Sequence, residues 1–235
     1  IYVDTGVFHL DTPYDYEVPE KFSEIVKTGV RVQVPFGNRE VEGLVIERVV
    51  APSVISGLKS ITKVLSHHLV ATPKSLELIA QTAQRWATNP WDVMRSAIPP
   101  RVAAVDKAFA PTALKSARSS NQSDICFRAF EPHISAHAQV ASIAVDSIRK
   151  GSVLIVAPDE RDIIAICAHL QASSAPVVRI DSGLSRNERY ANFLQSLQEQ
   201  HQIIIGSRSA VFAPLPSAST IIVFKESSPD LYEVR

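Results

Sequence analysis

A carboxylate between two aromatic rings is the first group in this chain with the chemistry of a binding site. Asp15 stands in the centre of Tyr14-Asp15-Tyr16, and Pro35-Phe36-Gly37 follows about twenty residues later. An ionised carboxylate accepts hydrogen bonds. Gly37 suits a loop whose backbone approaches a ligand closely, because glycine readily adopts positive φ. The alternative interpretation is that Asp15 is a solvated strand residue among core aromatic side chains.

Two longer segments contain these residues and carry a family resemblance. LDTPYDYEVP from Leu10 to Pro19, followed by VQVPFG from Val32 to Gly37, resembles the opening of the primosomal protein N′ (PriA) family of replication-restart helicases. In that family, this region is a small β-rich domain that captures the 3′ end of the nascent leading strand at a stalled fork. The resemblance implies a DNA-binding pocket formed by Tyr14, Asp15, Tyr16, Gly37 and Lys59.

The implied pocket has a simple physical logic. A terminal sugar hydroxyl can donate a hydrogen bond to the Asp15 carboxylate, a ring can stack on the last base, and Lys59 can hold a phosphate. None of these contacts requires a particular base. Binding should therefore depend on the strand end and not on its sequence.

The charge distribution leaves room for a DNA partner although the net charge is zero. Residues 1–54 carry five Lys or Arg against nine Asp or Glu, a net of −4, whereas residues 55–101 carry six against two, a net of +4. A local basic surface can contact phosphates, although the same charges could form only a solvated face.

Composition also indicates the cellular setting. No run of 18 apolar residues suggests a membrane span, and no signal peptide is expected. Cys126 and Cys167 form neither a disulfide framework nor a zinc motif, so we expect a cytoplasmic protein. Because the sequence opens on Ile1 rather than methionine, we expect a fragment of a longer chain.

The elements that must position the pocket are strands followed by helices. Apolar-polar alternation and β-branched residues predict strands in the first 65 residues, and Pro19 and Pro35 are each expected to end a strand. Apolar spacing predicts a helix from Pro73 to Trp86 and a shorter one to Ile98. The predicted strands are Ile1–Val3, Tyr14–Val18, Val30–Val34, Val41–Ile46 and Ile61–Val64.

Beyond a predicted 1–100 domain and a 101–124 linker, the pattern changes. The linker contains Ser116–Ser123, which has no periodicity and is expected to be mobile. In residues 125–235, buried strand patterns alternate with helical patterns at about 135–149, 160–171 and 186–199, which predicts a parallel α/β sheet. Ser185 and Glu188 form a predicted capping box. The predicted strands are Ile125–Phe130, Val153–Ala157, Val177–Ile180, Ile203–Gly206 and Thr220–Phe224.

The resemblance extends into this second half. DSGLS from Asp181 to Ser185 and IGSRSAVFAP from Ile205 to Pro214 resemble segments of the family's first helicase lobe, which is RecA-like. In the family the second segment lies near bound DNA, so the resemblance adds Arg208 to the DNA-binding residues. The winged-helix module that usually precedes this lobe has no room here, and the zinc segment and second motor lobe are not among these residues.

The nucleotide-binding motifs of that lobe are degenerate in this sequence. Counting along the resemblance places the phosphate-binding loop at Phe130–His137, where Ala136 replaces the lysine and His137 the hydroxyl residue. Phe224 and Lys225 stand where the family has its metal-binding Asp-Glu pair. We therefore expect a truncated, degenerate lobe that does not hydrolyse ATP, uses no ATP, magnesium or zinc, and has no catalytic residue.

Three functions remain open at this point. The first is a DNA-binding replication-restart protein that recognises forked or single-stranded DNA and helps to rebuild the primosome. The second is an ATP-dependent helicase with a non-standard nucleotide loop. The third is a scaffold for single-stranded DNA-binding protein or primosome factors.

His133 and His137 have a helical i, i+4 spacing with which two histidines could bind zinc. No third ligand lies nearby in the sequence, so no metal site is expected.

Overall fold

The computed structural model describes residues 1–10, 12–49, 57–110, 124–198, 201–215 and 220–232. The chain divides into two compact units, residues 1–98 and 99–235. The predicted mobile segment Ser116–Ser123 lies outside the described residues. Among the residues described, no helix is both long and apolar enough to cross a membrane.

The first unit is built on an antiparallel sheet with the strand order β1-β3-β2-β4. Gly37, with φ of 59°, begins the two-residue turn between β2 and β3, across which Phe36 pairs with Arg39. This turn needs a residue that adopts positive φ at low cost, and glycine is such a residue. The strands are β1 Tyr2–Val3, β2 Val30–Phe36, β3 Arg39–Leu44 and β4 Lys63–Leu69.

Two strand predictions in this unit are wrong. Tyr14–Val18 forms no strand and makes only an isolated bridge between Glu17 and Ser60. Pro35 does not end β2 but pairs with Glu40 inside it. The ladder between β2 and β4 ends at Gln33, so Pro35 has no β4 neighbour to which a missing amide donor would matter.

Two helices complete the first unit as predicted. They are α1 Pro73–Trp86 and α2 Pro90–Ala97. Thr72 and Ser75 cap the start of α1 reciprocally, and Ile79 and Ala83 form its buried face. The sheet buries a valine-rich core, and the side chains of Tyr14 and Tyr16 pack against it. That core consists of Val3, Val26, Val30, Val32, Val34, Val45 and Ile61.

The second unit is a parallel sheet with the strand order β6-β7-β5-β8. Apolar side chains alternate to both faces of its central strands and form two separate core clusters, which explains their continuous apolar sequences. The capping box of Ser185 and Glu188 is present as predicted. The elements are α3 Ala103–Ala108, α4 Ala136–Ser147, β5 Val153–Val156, α5 Glu160–Leu170, β6 Val177–Ile180, α6 Arg186–Ser196, β7 Ile203–Gly206 and β8 Thr220–Val223.

The predicted strand at Ile125–Phe130 is wrong. This segment has no regular structure, and the side chains of Ile125 and Phe127 are 85% and 87% exposed. Only Phe130 packs against a core cluster, the one formed by α4, α5 and the sheet. An apolar sequence becomes a strand only where a neighbouring strand is available to pair with it, and Ile125–Phe130 pairs with none of the described strands.

The predicted linker is partly ordered, because its first residues form α3. The buried Asp106 carboxylate of α3 accepts a hydrogen bond of 2.6 Å from the Tyr190 hydroxyl on α6 and pairs with Arg101 at 3.0 Å. A buried carboxylate is tolerated when it is paired in this way. Residues 103–108 of the predicted linker thus form a helix that contacts α6.

Candidate nucleic-acid interface

An open pocket of about 430 Å³ lies on the first unit where the β2–β3 turn faces the segment after β1. All five residues that the resemblance assigned to DNA binding in this unit line it: Tyr14, Asp15, Tyr16, Gly37 and Lys59. These residues come from three separate stretches of sequence, and the fold brings them together. The remaining lining residues are Pro13, Pro35, Phe36, Gly57 and Leu58.

Backbone hydrogen bonds hold the aromatic segment in place although it is not a regular strand. The amide of Tyr14 donates to the carbonyl of Ile1 at 2.8 Å. The amide of Glu17 donates to the carbonyl of Lys59 at 2.9 Å, and the amide of Ile61 donates back to the carbonyl of Glu17 at 3.0 Å. Asp15 is thus fixed between two anchored positions, and Lys59 is held next to the same segment.

The two tyrosine hydroxyls are occupied by the protein itself. Tyr14 donates to the carbonyl of Leu10 at 2.8 Å, and Tyr16 donates to the carbonyl of Pro35 at 3.2 Å. Burial, followed by the effects of Tyr14 and Glu40, raises the pKa of Tyr16, so its hydroxyl stays a neutral donor. What these residues offer a ligand is therefore the faces of their rings.

An aromatic pair shapes one side of the pocket. The rings of Tyr14 and Phe36 meet edge to face, with their centroids 5.2 Å apart and their planes at 71°. Such a pair is a favourable and fairly rigid arrangement. It leaves ring surface beside Asp15 on which a flat, apolar group could stack.

The charged groups of the pocket have opposite signs. Lys59 is exposed, and its ammonium group lies 3.4 Å from the carbonyl oxygen of Gly37. Asp15 is half-buried. Open space surrounds the position that a Cβ atom would take at Gly37. A ligand with a hydroxyl near Asp15 and an anionic group near Lys59 would complement both charges.

Sequence reasoning did not assign Leu58 or Gly57 to the pocket. Both directly precede Lys59 in the sequence, and their only sequence signal is that proximity. It also missed a second cavity of about 200 Å³, which shares Tyr14, Asp15 and Tyr16 with the first pocket and is further lined by Glu47 and Arg48. Arg48 donates there to the carbonyls of Ser23 and Val26, so it supports the backbone.

Arg208 belongs to the second unit. It begins the 3₁₀ helix Arg208–Phe212, and its guanidinium group donates to the carbonyl of Tyr232 at 2.8 Å. The side chain is exposed.

The four positions that the sequence analysis assigned to a degenerate nucleotide-binding site lie in the second unit. Ala136 and His137 begin α4, and Phe224 and Lys225 follow β8 directly. The ring of His137 lies 5.3 Å from the ring of Phe224, whose side chain is 3% exposed. Within the described residues, no three His, Cys, Asp or Glu side chains converge to hold a metal ion.

Asp162, which the sequence did not single out, connects these positions. Its carboxylate lies 2.7 Å from Nε2 of His137, and the Lys225 ammonium group donates to both of its oxygens at 2.8 Å. Burial alone would raise the pKa of Asp162, but the hydrogen bonds from His137 and Lys225 outweigh burial and lower it. His137 and Lys225, two of the four assigned positions, are thus both engaged by the Asp162 carboxylate.

The first unit is similar to a known domain family. Residues 1–99 match a family model described as the 3′DNA-binding domain (3′BD) of PriA. The matched range contains every pocket residue described above. It corresponds closely to the first compact unit, residues 1–98.

Relatives that the chain resembles are replication restart proteins. The chain is 30% identical over 255 residues to the probable replication restart protein PriA of Mycobacterium tuberculosis, covering 98% of this chain and 39% of the relative. It is 28% identical over 261 residues to that of Mycobacterium leprae, covering 98% and 40%. It is 42% identical over 45 residues to that of Bacillus subtilis, covering 19% and 6%. The chain thus spans about two fifths of the length of its mycobacterial relatives.

Proposed function

The chain belongs to the PriA family of replication restart proteins, and from this premise we propose that its first unit binds the 3′ end of a DNA strand at a replication fork. The observation that carries the proposal is the convergence of Tyr14, Asp15, Tyr16, Gly37 and Lys59 on one pocket. That pocket lies in the unit that matches the family's 3′ DNA-binding domain.

Each side of the pocket has a distinct role in this proposal. The Asp15 carboxylate accepts a hydrogen bond from the terminal 3′-hydroxyl. The ring faces beside it stack on the last base, and Lys59 binds a backbone phosphate. The Gly37 backbone comes close to the sugar because no side chain stands in the way. These contacts select a free strand end and accept any base.

We also propose that the second unit is a degenerate, RecA-like helicase lobe that neither binds nor hydrolyses ATP. Phosphoryl transfer requires a lysine and carboxylate-bound magnesium close to the phosphates. Ala136 has no charge to offer a phosphate. Lys225 is already paired with Asp162 through both carboxylate oxygens. Arg208 supplies this unit with an exposed cation for DNA.

In the cell, this chain would act as a fork-recognition module of replication restart in the cytoplasm. A protein that binds forks without turning over ATP can help to rebuild a primosome by recruiting other factors. Single-stranded DNA-binding protein and primosome factors are the partners that this proposal implies. Adding each of them to a preformed complex of protein and fork would test for a ternary complex.

A titration on matched forks tests the main proposal. The protein is added to labelled forks that carry a nascent strand with a 3′-hydroxyl, the same strand with a 3′-phosphate, or no nascent strand, at one fixed salt concentration. The expected order of affinity places the 3′-hydroxyl fork first. Equal affinity for all three forks would mean that the pocket does not read the strand end.

A further inference from the structure

We propose that His137, Asp162, Phe224 and Lys225 form an internal latch that ties α4, α5 and the end of β8 together without any ligand. The four residues come from three separate elements of the second unit. The latch concerns only this unit and does not depend on DNA binding by the first.

The contacts of the latch converge on one carboxylate. Asp162 lies in the first turn of α5, and its side chain is only 9% exposed. From α4, Nε2 of His137 reaches one carboxylate oxygen at 2.7 Å. From the end of β8, the Lys225 ammonium group reaches both oxygens at 2.8 Å. A carboxylate so far removed from water is stable only with such partners.

Phe224 adds the apolar part of the latch. Its buried ring packs against the core cluster shared by α4, α5 and the sheet. The same ring lies beside the His137 ring at 5.3 Å and beneath the Lys225 ammonium group at 5.1 Å. It thereby limits where both partners of Asp162 can move.

The backbone at Lys225 gives independent support. Lys225 has φ of 51°, in the left-handed region that a non-glycine residue seldom adopts. Such a conformation is unfavourable and persists only where its surroundings hold it. Two interactions hold Lys225 in place: the bidentate contact of its side chain with Asp162, and a hydrogen bond of 2.8 Å from the Ser228 amide to its carbonyl.

The latch has a consequence for the whole second unit. α4 and α5 pack beside each other on one face of the sheet, and the latch closes their ends against β8. The start of α4 is then tied to α5 and to the end of β8 by side chains of the protein. The unit should keep its fold and rigidity in the absence of any nucleotide.

Hydrogen exchange of backbone amides, measured on the full chain, tests the latch. Asp162→Asn should speed exchange at the start of α5 and at the end of β8 by about tenfold or more, since local opening no longer breaks the ion pairs. Asp146→Asn is the matched control, because Asp146 is exposed on α4. Amides of the first unit and the affinity for forks should not change in either variant.

A double-mutant cycle separates the latch from a simple loss of charge. Lys225→Met alone should also speed exchange, whereas Lys150→Met, at an exposed lysine, should not. In the Asp162→Asn background, Lys225→Met should add little, because its partner is already neutral. If Asp162→Asn does not fold, Lys225→Met compared with Lys150→Met decides the question alone.

The outcomes are distinct from those of the fork titration. Exchange rates in Asp162→Asn and Lys225→Met that match their controls, or fully additive effects in the double variant, would overturn the latch while leaving the DNA-binding proposal untouched. If the wild-type protein bound all three forks with equal affinity, the DNA-binding proposal would be overturned. The latch proposal would be unaffected by that result.

Discussion

Replacing Asp15 by asparagine changes the group that should distinguish a hydroxyl from a phosphate at the strand end. The substitution preserves size and one acceptor oxygen but removes the negative charge. Asp15 is half-buried in an open pocket, so solvent screens part of its interaction. A hydrogen bond to a charged group contributes about 1.5–3 kcal/mol, against roughly 1 kcal/mol for a neutral one.

The expected loss on the 3′-hydroxyl fork is the difference between those two bonds, about 0.5–2 kcal/mol, or roughly a 2- to 30-fold higher Kd. The 3′-phosphate fork should respond in the opposite direction, because the wild-type carboxylate repels the phosphate and asparagine does not. The ratio of the two affinities should therefore fall towards one. This change in the ratio is specific to contact with the strand end.

Fluorescence anisotropy with both forks at constant ionic strength measures this ratio. Glu20→Gln is the matched control, because Glu20 is exposed in the 3₁₀ helix Glu20–Phe22 and the charge change is the same. If Asp15→Asn weakens both forks equally, or leaves both unchanged as Glu20→Gln should, then Asp15 does not contact the strand end and the reasoning fails.

Three further predictions concern the basic residue, the nucleotide and pH. Lys59→Ala should weaken binding to every fork sequence alike and reduce the slope of log affinity against log salt by about one, whereas Lys27→Ala, at an exposed lysine, should leave the slope unchanged. Millimolar Mg-ATP should not raise the Tm, and DNA-stimulated release of phosphate should not exceed a no-protein blank; either signal would revive the helicase alternative. Because its contacts with His137 and Lys225 lower the pKa of Asp162 below its ordinary 3.8, the stabilisation it provides is complete above that value and is lost as the pH falls through the lowered pKa. The Tm difference between wild type and Asp162→Asn should thus be largest near neutral pH and disappear in acid, and a difference that is constant down to pH about 3 would contradict the assignment.

Local patterns in the sequence were enough to predict most of the elements. Residues 73–86 form a helix because apolar residues recur on one face and a proline opens it, and neither feature depends on distant residues. The Ser185 capping box is equally local. The central parallel strands β5 and β7 were recognisable because burial on both faces requires continuous apolar runs.

The pairing partner of a segment was not a local property, and the wrong predictions arose there. Tyr14–Val18 and Ile125–Phe130 both have strand-like sequences, yet neither forms a strand. Pro35 was expected to end a strand, yet it lies inside one because no β4 residue lies beside it. Strand formation depends on which backbone groups are available alongside, and only the tertiary structure determines that.

The same distinction applies to the two sites. The sequence identified Tyr14, Asp15 and Tyr16 through a contiguous motif, but only the fold brings Gly37 and Lys59 to the same pocket. Asp162 carried no signal at all, because a carboxylate in the first turn of a helix is ordinarily explained by the helix dipole. Its contacts with His137 and Lys225 join residues 25 and 63 positions away. Charges so distant in sequence interact only after the chain has folded.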